Sequence, residues 1–155
     1  MIINTPDKYF LVAGSSDGMT KLNSFDGALL NSGIGNTNIL KMSSILPPHS
    51  KQIEPVKLPY GSLVPAAYAS ITSDLPGEII SAAVAVAIPV DNEYPGLIME
   101  YSSRGMKTNV ENIVRRMAEE GMKMRDKKIK EILIKSVEYK VTHIGTAFAA
   151  VVLWH

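Results

Sequence analysis

The sequence predicts an α+β fold in a single domain, and three observations predict it. Six or seven apolar runs have the length and alternation of β-strands, whereas only two stretches show the three- and four-residue spacing of a helix. Strands and helices do not alternate regularly, so a doubly wound parallel sheet is not indicated. The 155 residues, 46% of them apolar, suffice for one core, and no linker or internal repeat divides them.

The first elements are a strand and a helix. Residues 9–13 form a short apolar run, and the glycines and serines of residues 14–18 predict the turn that ends it. The helix is expected over residues 23–32, with Asn23 or Ser24 as its cap and Gly33 as its stop.

The next predicted strand covers residues 37–45 and ends before Pro47 and Pro48, because a proline requires extended backbone in the residue before it. Residues 46–61 hold four prolines and one glycine and are expected to form a loop.

Two strands follow, residues 62–73 and 78–88, joined by a turn at residues 74–77. In the second strand alanines alternate with branched side chains, so both faces are apolar and both must be covered. Two helices supply little cover for such sheets, so a subunit interface is expected to supply the rest.

The remaining elements are three strands and one helix. A strand is predicted at residues 97–101, and a capping box at residues 108–111 starts a helix that Gly121 is expected to end. The apolar residues of 132–141 alternate with a change of phase, which predicts a bulge. Residues 146–154 form the last predicted strand.

The composition excludes several kinds of site. The chain has no cysteine, which excludes disulfides, thiolate metal sites and a cysteine nucleophile. His49, His143 and His155 are far apart in the chain, and no metal site is expected. The net charge of +1 does not suggest nucleic-acid binding. An acidic excess in residues 1–103, with five basic and nine acidic side chains, is compatible with a small cationic ligand.

Neither a secretory signal nor a membrane span is predicted. The N-terminal residues lack a basic start followed by a long apolar segment, and the apolar runs at 81–90 and 146–154 are too short to span a bilayer. A cytoplasmic protein is therefore the expectation. Residues 33–38 contain half of a dinucleotide fingerprint, but they follow a helix and precede a strand, so nucleotide binding is not predicted.

Glu100 is an acid within an apolar strand. By alternation Met99 and Tyr101 share one face of the strand, whereas Ile98 and Glu100 share the other. Glu100 is either an edge-strand carboxylate that reaches solvent or a carboxyl group kept neutral by apolar surroundings and able to donate a proton.

Ser43 and Ser44 lie between an apolar strand and the double proline. On the ordinary interpretation they are two polar residues that close a strand. A serine hydroxyl is also able to attack the preceding carbonyl and convert the amide to an ester. Elimination then breaks the chain and leaves an N-terminal pyruvoyl group. That route requires a well-held, strained backbone and donors for an oxyanion.

The surroundings of this pair resemble the pyruvoyl-dependent arginine decarboxylases. The likeness includes LNSFDGALLN (residues 22–31), GIGN (33–36), Asn38, and Ser43–Ser44 with Ile45 and the double proline. It covers nearly the whole chain through the further segments VAGSS (12–16), LVPAAY (63–68), SDLPGE (73–78), SAAVAVAIP (81–89), GLIMEY (96–101) and GTAFAAVVLW (145–154).

The resemblance implies a four-layer αββα sandwich, assembled as homotrimers with active sites between subunits, and it leaves open whether trimers pair into hexamers. It also implies that the single domain, residues 1–155, cleaves itself between Ser43 and Ser44. Residues 1–43 would stay bound as the small chain, and Ser44 would become the pyruvoyl group heading the large chain, 44–155.

The resemblance further assigns roles to individual residues. Asn38 matches a residue tied to the cleavage site, Glu100 the proton donor, and Asp26 the acid that faces the guanidinium of the substrate. Leu22, Gly35 and Ile45 match positions that line the pocket. Thr37 is a departure, because an aliphatic residue is usual there.

The implied reaction converts L-arginine to agmatine and carbon dioxide through a Schiff base on the pyruvoyl ketone, on a route to polyamines. Two alternatives stay open. The same fold with a different pocket could decarboxylate another amino acid such as histidine. A homologue that does not cleave itself could serve as a trimeric binding protein.

Overall fold

The computed structural model describes residues 4–155, which form two helices and nine strands. The helices are α1 (Lys21–Asn31) and α2 (Lys107–Met124). The strands are β1 (Lys8–Asp17), β2 (Asn38–Lys41), β3 (Ile45–Leu46), β4 (Lys51–Gln52), β5 (Leu63–Ser73), β6 (Ile79–Pro89), β7 (Gly96–Arg104), β8 (Ile129–Lys140) and β9 (Gly145–Trp154).

The strands form two sheets. Sheet A has the order β2-β5-β9-β1-β4, and sheet B has the order β3-β7-β6-β8. The long strands pair antiparallel in both sheets, whereas the short edge strands β2 and β4 pair parallel to their neighbours. Helix α1 packs on the outer face of sheet A and α2 on the outer face of sheet B. The predicted α+β class is confirmed, and the order of the layers is that of an αββα sandwich.

The central strands β6 and β9 fill the space between the sheets. Val84 and Val86 of β6 belong to the same buried cluster as Ala149 and Val151 of β9. β9 is buried at every position except Trp154. Burial of this apolar surface is the main favourable contribution to folding, at about 25 cal/mol per Å² removed from water.

The opposite face of β6 carries helix α2. Ala83, Ala85 and Ala87 form one cluster with Val110 and Val114 of the helix. The two-sided burial predicted for residues 78–88 is therefore confirmed. Because the alanine side chains are short, the helix packs close to the sheet while the branched side chains fill the thicker inter-sheet layer.

Helix α1 approaches sheet A just as closely. A Cβ atom at Gly14 of β1 would lie 2.4 Å from Ser32 Oγ, so only glycine fits at this crossing. Ser24 of α1 is buried and shares a 2.7 Å hydrogen bond with Thr146 of β9. This bond gives both buried hydroxyl groups a partner across the layer boundary.

The first two elements differ from their predicted limits. β1 does not turn at residues 14–18 but continues to Asp17, because it pairs with β9 along its full length. The N-cap of α1 is Thr20, whose hydroxyl accepts a hydrogen bond from Asn23 N at 3.1 Å. The predicted caps Asn23 and Ser24 were wrong, since both lie inside the first turn.

The strand predicted over residues 37–45 is two strands in different sheets. β2 lies at the edge of sheet A, and β3 lies at the edge of sheet B. Residues 42–44 connect them across the side of the sandwich. An apolar run does not show where its hydrogen-bond partner changes, so the pattern appeared continuous. The predicted loop at residues 46–61 also contains the short strand β4, which pairs with β1.

Helix α2 differs at both ends from the prediction. It begins at Lys107 after Met106, an N-cap residue that makes no side-chain hydrogen bond, so the predicted capping box at residues 108–111 lies inside the helix. Glu111 instead accepts a 2.9 Å hydrogen bond from Ser136 Oγ of β8. The helix also passes through Gly121, which is buried against Leu97, and ends at Met124. Neither helix in residues 4–155 is long and apolar enough to cross a membrane.

The bulge predicted within residues 132–141 is not found there, because the register of β8 is regular over that range. The register shift comes earlier in the strand: Ile88 pairs with Glu131 and Pro89 with Ile129, which leaves residue 130 of β8 as the extra residue. The change of phase has another cause. Ile132 and Ile134 pack towards α2, whereas Val137 and Tyr139 pack into the inter-sheet core. The apolar side chains of β8 therefore lie on the helix-facing side in its first half and on the inter-sheet side in its second half, while the strand stays paired with β6.

Asp17 joins the end of β1 to the connection between β8 and β9. Its carboxylate accepts hydrogen bonds from Tyr139 Oη at 2.8 Å, Thr142 Oγ1 at 2.5 Å and His143 N at 2.6 Å. Desolvation by itself would raise the pKa of Asp17, but these hydrogen bonds, together with one from Thr142 N, outweigh it and lower the pKa to about 2.

We expect Asp17→Asn to lower the free energy of unfolding at pH 7 by about 1–3 kcal/mol, because charge-assisted hydrogen bonds are lost. The folded-state pKa of Asp17 lies below its ordinary value of 3.8. The stabilisation is therefore complete above that value and is lost as the pH falls towards about 2. Urea unfolding across this pH range measures it, with the exposed Asp74→Asn as control. Equal stability of both variants at pH 7 would contradict the prediction.

Candidate functional site

The Ser43–Ser44 bond lies where the chain crosses from one sheet to the other. Met42 N donates to the carbonyl of Ala66 in sheet A at 3.0 Å, and Ile98 N of sheet B donates to the carbonyl of Ser44 at 2.7 Å. The peptide bond between the serines is thus held from both sides. Ser43 is exposed and Ser44 is half-buried. Both serines follow the end of β2 and precede β3, so they lie in the crossing between the two sheets.

Glu100 lies on β7, the strand that pairs with β3, and faces the space between the sheets. Its partner across the sheet is Val84 of the inter-sheet core, as the predicted alternation requires. Its side chain is 33% exposed, so the carboxyl group is neither fully solvated nor fully buried. Glu100 Oε2 is buried and has no hydrogen-bond partner within the described residues.

Lys41 and Tyr68 complete the surroundings of Glu100, and sequence reasoning missed both. Lys41 Nζ donates to Glu100 Oε1 at 2.8 Å and to the carbonyl of Tyr68 at 3.0 Å. It also lies 4.1 Å from the centroid of the Tyr68 ring. With Ser70 and Ser102 these residues line a cavity of about 370 Å³. A basic residue two positions before Ser43 was the available signal.

A second group of the predicted site residues lies on α1 and the turn after it. Leu22 and Asp26 are one helical turn apart on the exposed side of α1, and Leu30 follows at the same spacing. A Cβ atom at Gly35 would lie 2.7 Å from the Cα atom of Leu30, so glycine is required for the turn to pack against this stripe.

Asn38 lies at the start of β2. Its side-chain Nδ2 donates to the carbonyl of Gly61 at 3.2 Å, and its backbone N donates to the carbonyl of Ser62 at 2.8 Å. Thr37, which stands where the family usually has an aliphatic residue, donates from Oγ1 to the carbonyl of Ile34 at 2.7 Å. Its hydroxyl group is therefore bound within the turn. β2 then separates Asn38 from Lys41 by about 10 Å.

One protomer therefore does not bring all the predicted residues together. Ser43, Ser44, Ile45 and Glu100 lie at the edge where the sheets meet. Leu22, Asp26, Gly35 and Asn38 lie on the α1 layer and its following turn, at the other end of β2. Within residues 4–155 no group of three or more histidine, aspartate or glutamate side chains has the arrangement of a metal site.

Exposed apolar side chains surround both groups. Leu22 is 75% exposed on α1, and Leu63, which pairs with Asn38, is 64% exposed on β5. Met19, Leu30, Leu40, Ile45 and Tyr60 are also large, apolar and exposed. Single exposed apolar residues are ordinary, but this concentration around α1 and β2 is typical of an interaction surface.

Comparisons with known proteins show the family to which the chain belongs. The family model described as pyruvoyl-dependent arginine decarboxylase matches residues 8–155. A protein of that name from Methanocaldococcus jannaschii is 52% identical over 97% of this chain and 91% of its own length. Those from Methanococcus aeolicus and Pyrococcus abyssi are 51% and 46% identical, each over 97% of this chain and over 91% and 96% of their own lengths. The chain belongs to the pyruvoyl-dependent arginine decarboxylase family.

Proposed function

We propose that this chain cleaves itself between Ser43 and Ser44 and then decarboxylates L-arginine to agmatine and carbon dioxide. Family membership supports the reaction type, the pyruvoyl group and arginine as substrate. The observation that carries the residue assignments is the placement of the Ser43–Ser44 bond at the sheet crossing, next to the strand that bears Glu100.

The crossing favours self-cleavage because its two ends are fixed. Ser44 Oγ attacks the carbonyl carbon of Ser43, the C–N bond breaks, and an ester replaces the amide. Loss of the Ser44 α-proton and cleavage of the Cβ–Oγ bond release Ser43 with a carboxylate. Water then replaces the nitrogen of residue 44, which leaves as ammonia, and a ketone remains. The hydrogen bonds at Met42 and Ser44 restrict the backbone during these steps.

The two chains are expected to stay together after cleavage. Residues 1–43 contain β1, α1 and β2, and β1 pairs with β9 along ten residues. The cut separates β2 from β3 but removes no strand pairing. The small chain therefore keeps its share of the buried surface between α1 and sheet A.

The residues around Ser44 fit a pyruvoyl group. The carbonyl of Ser44 already accepts a hydrogen bond from Ile98 N, and Ile45 is held by pairing with Leu97. A group formed at Ser44 is thus fixed at its own carbonyl beside β7. Its ketone supplies an electron sink when carbon dioxide leaves the amino acid, as other carbonyl cofactors do.

Glu100 supplies the proton that replaces the carboxylate on the substrate. Oε2 is buried and has no partner within residues 4–155, so this oxygen is available to carry a proton. Oε1 is occupied by Lys41. Glu100 lies two residues after Ile98, which binds Ser44, so extended backbone places its Cα atom about 7 Å from that of Ile98, on the same face of β7.

A second copy of the chain completes the site. Asp26 and Leu22 lie on the outer helical layer, whereas Glu100 faces the space between the sheets, so one protomer cannot enclose a substrate with all of them. The exposed apolar residues around α1 and β2 are suited to burial in a trimer, in which α1 of one protomer lies against the sheet edge of the next. Trimers could pair further into hexamers.

Asp26 selects arginine in this arrangement. Its exposed carboxylate is able to form two charge-assisted hydrogen bonds with a planar guanidinium group. Leu22, one turn away, covers the apolar part of the substrate side chain. Histidine has a shorter side chain without this planar fork and would not reach both groups.

The purified protein should contain two chains, with the larger one starting at a carbonyl in place of Ser44. Ser44→Ala should remain a single chain of full mass, because no hydroxyl is left to attack. Intact-mass spectrometry and borohydride reduction measure both outcomes, with Ser50→Ala, in the loop after the double proline, as the control. A wild-type protein that stays uncleaved would instead support the trimeric binding protein.

Asp26→Asn should raise the KM for arginine by about 10- to 100-fold with a smaller effect on kcat, because a charge-assisted contact with the substrate is lost. Initial rates with arginine, lysine, ornithine and histidine measure it, and arginine should be preferred by the parent. Asp74→Asn removes an equally exposed acid elsewhere and should change nothing. An unchanged KM in Asp26→Asn would remove Asp26 from the substrate site.

Glu100→Gln should still cleave itself, since the cleavage steps use the Ser44 hydroxyl, but it should lose about 100- to 10,000-fold in decarboxylation. The measurement is carbon dioxide release per pyruvoyl group. Glu54→Gln, an exposed acid in the loop, serves as control. Activity within a few-fold of the parent would mean that water or another side chain supplies the proton.

A further inference from the structure

Lys41 has three contacts that hold its ammonium group at one position. It donates to Glu100 Oε1 at 2.8 Å and to the carbonyl of Tyr68 at 3.0 Å, and it lies 4.1 Å from the centroid of the Tyr68 ring. The Lys41 side chain is 52% exposed, and a lysine of this exposure normally keeps its rotamer freedom. Contacts with two different strands, β5 and β7, fix it instead.

We propose that Lys41 is the positioning residue for Glu100. It orients the carboxyl group and stabilises the carboxylate that remains after Glu100 has given its proton to the substrate. This inference rests on the proposed function, in which Glu100 is the proton donor.

Orientation follows from the unequal surroundings of the two carboxyl oxygens. Oε1 is bound by Lys41, whereas Oε2 is buried without a partner within residues 4–155. A carboxyl group held at one oxygen cannot rotate freely, so Oε2 is the oxygen that is left to exchange a proton with the substrate.

The charge of Lys41 matters after the transfer. The O–H bond at Oε2 breaks, and its proton forms a C–H bond with the electron pair left when carbon dioxide departs. Glu100 is then a carboxylate only 33% exposed, and an ammonium group 2.8 Å away stabilises it. Solvent returns one proton to Glu100 in each cycle. The other titratable groups lining this cavity are the hydroxyls of Tyr68 and Tyr101, neither of which is a cation.

Self-cleavage leaves Lys41 in place. β2 pairs with β5 through Lys41, and the following residue, Met42, still donates to Ala66. A cut after Ser43 therefore frees only the last residue of the small chain. The small chain then contributes a side chain that acts on the catalytic acid of the large chain, in addition to its share of the core.

The test compares Lys41→Met, Lys41→Arg and the control Lys57→Met. Lys57 is also placed over a tyrosine ring, 5.2 Å from the centroid of Tyr60, but away from Glu100. With rates normalised to pyruvoyl content, Lys41→Met should lower kcat by about 10- to 100-fold and change KM less than about threefold. Lys41→Arg should restore most of kcat, and Lys57→Met should match the parent.

A double variant distinguishes a positioning role of Lys41 from a general loss of structure in the site. Adding Lys41→Met to Glu100→Gln should lower kcat no further, because Lys41 acts through the carboxyl group that is already missing. If the two losses multiply, or if Lys41→Met keeps the parental kcat, the inference is overturned. The same holds if Lys41→Met changes only KM, or if it blocks self-cleavage. Lys41→Gln replaces Lys41→Met if the latter is insoluble.

These outcomes are distinguishable from failure of the proposed function. A parent protein that releases no carbon dioxide from arginine, or a Glu100→Gln variant with full activity, would overturn the proposed function itself. An active parent, an inactive Glu100→Gln variant and a fully active Lys41→Met variant would overturn this inference alone.

Discussion

The two central strands, β6 and β9, are apolar on both faces, and the rest of the structure depends on this constraint. Each sheet must be covered on both sides, so the sheets pack against each other and each receives one helix on its outer face. The side chains on the two faces of β6 differ in size. On β6, alanines face the helix and valines face the other sheet, which fits the different thickness of the two layers.

In this arrangement the chain passes from sheet A to sheet B along the side of the sandwich, at residues 42–44. Interior positions are occupied by long antiparallel strands, so the short strands β2 and β3 are left at the edges of the two sheets. The connection between them is only three residues long and is tied at both ends by backbone hydrogen bonds. A peptide bond in such a connection is both accessible and restrained, which is an unusual combination for an ordinary loop and suits self-cleavage.

The same edge brings charged groups to a place where they are only partly hydrated. Lys41 from sheet A and Glu100 from sheet B meet across the crossing, 59 residues apart in sequence. At a fully exposed surface a contact between two such groups would contribute little. Here one carboxyl oxygen is buried and the ammonium is fixed by a tyrosine ring and carbonyl, so the pair has a defined geometry. We infer that the fold places an acid where its protonation can be used.

The sequence by itself determined the fold class and most elements, and it supplied the predicted site residues. Strand and helix patterns are local, so the two-sided burial of residues 78–88 and the face shared by Ile98 and Glu100 could be derived from alternation. The resemblance of the motifs around Ser43–Ser44 identified the family, which the comparisons confirm. Cap choice, helix ends and the phase change in β8 were misjudged, because neighbours distant in sequence decide them. Only the tertiary structure decided that residues 37–45 divide between two sheets, that Lys41 contacts Glu100, and that Asp26 lies on a different layer from Ser44. The physical reason is that long-range packing sets which strands pair and which lie at a sheet edge. A local apolar pattern carries no information about that packing.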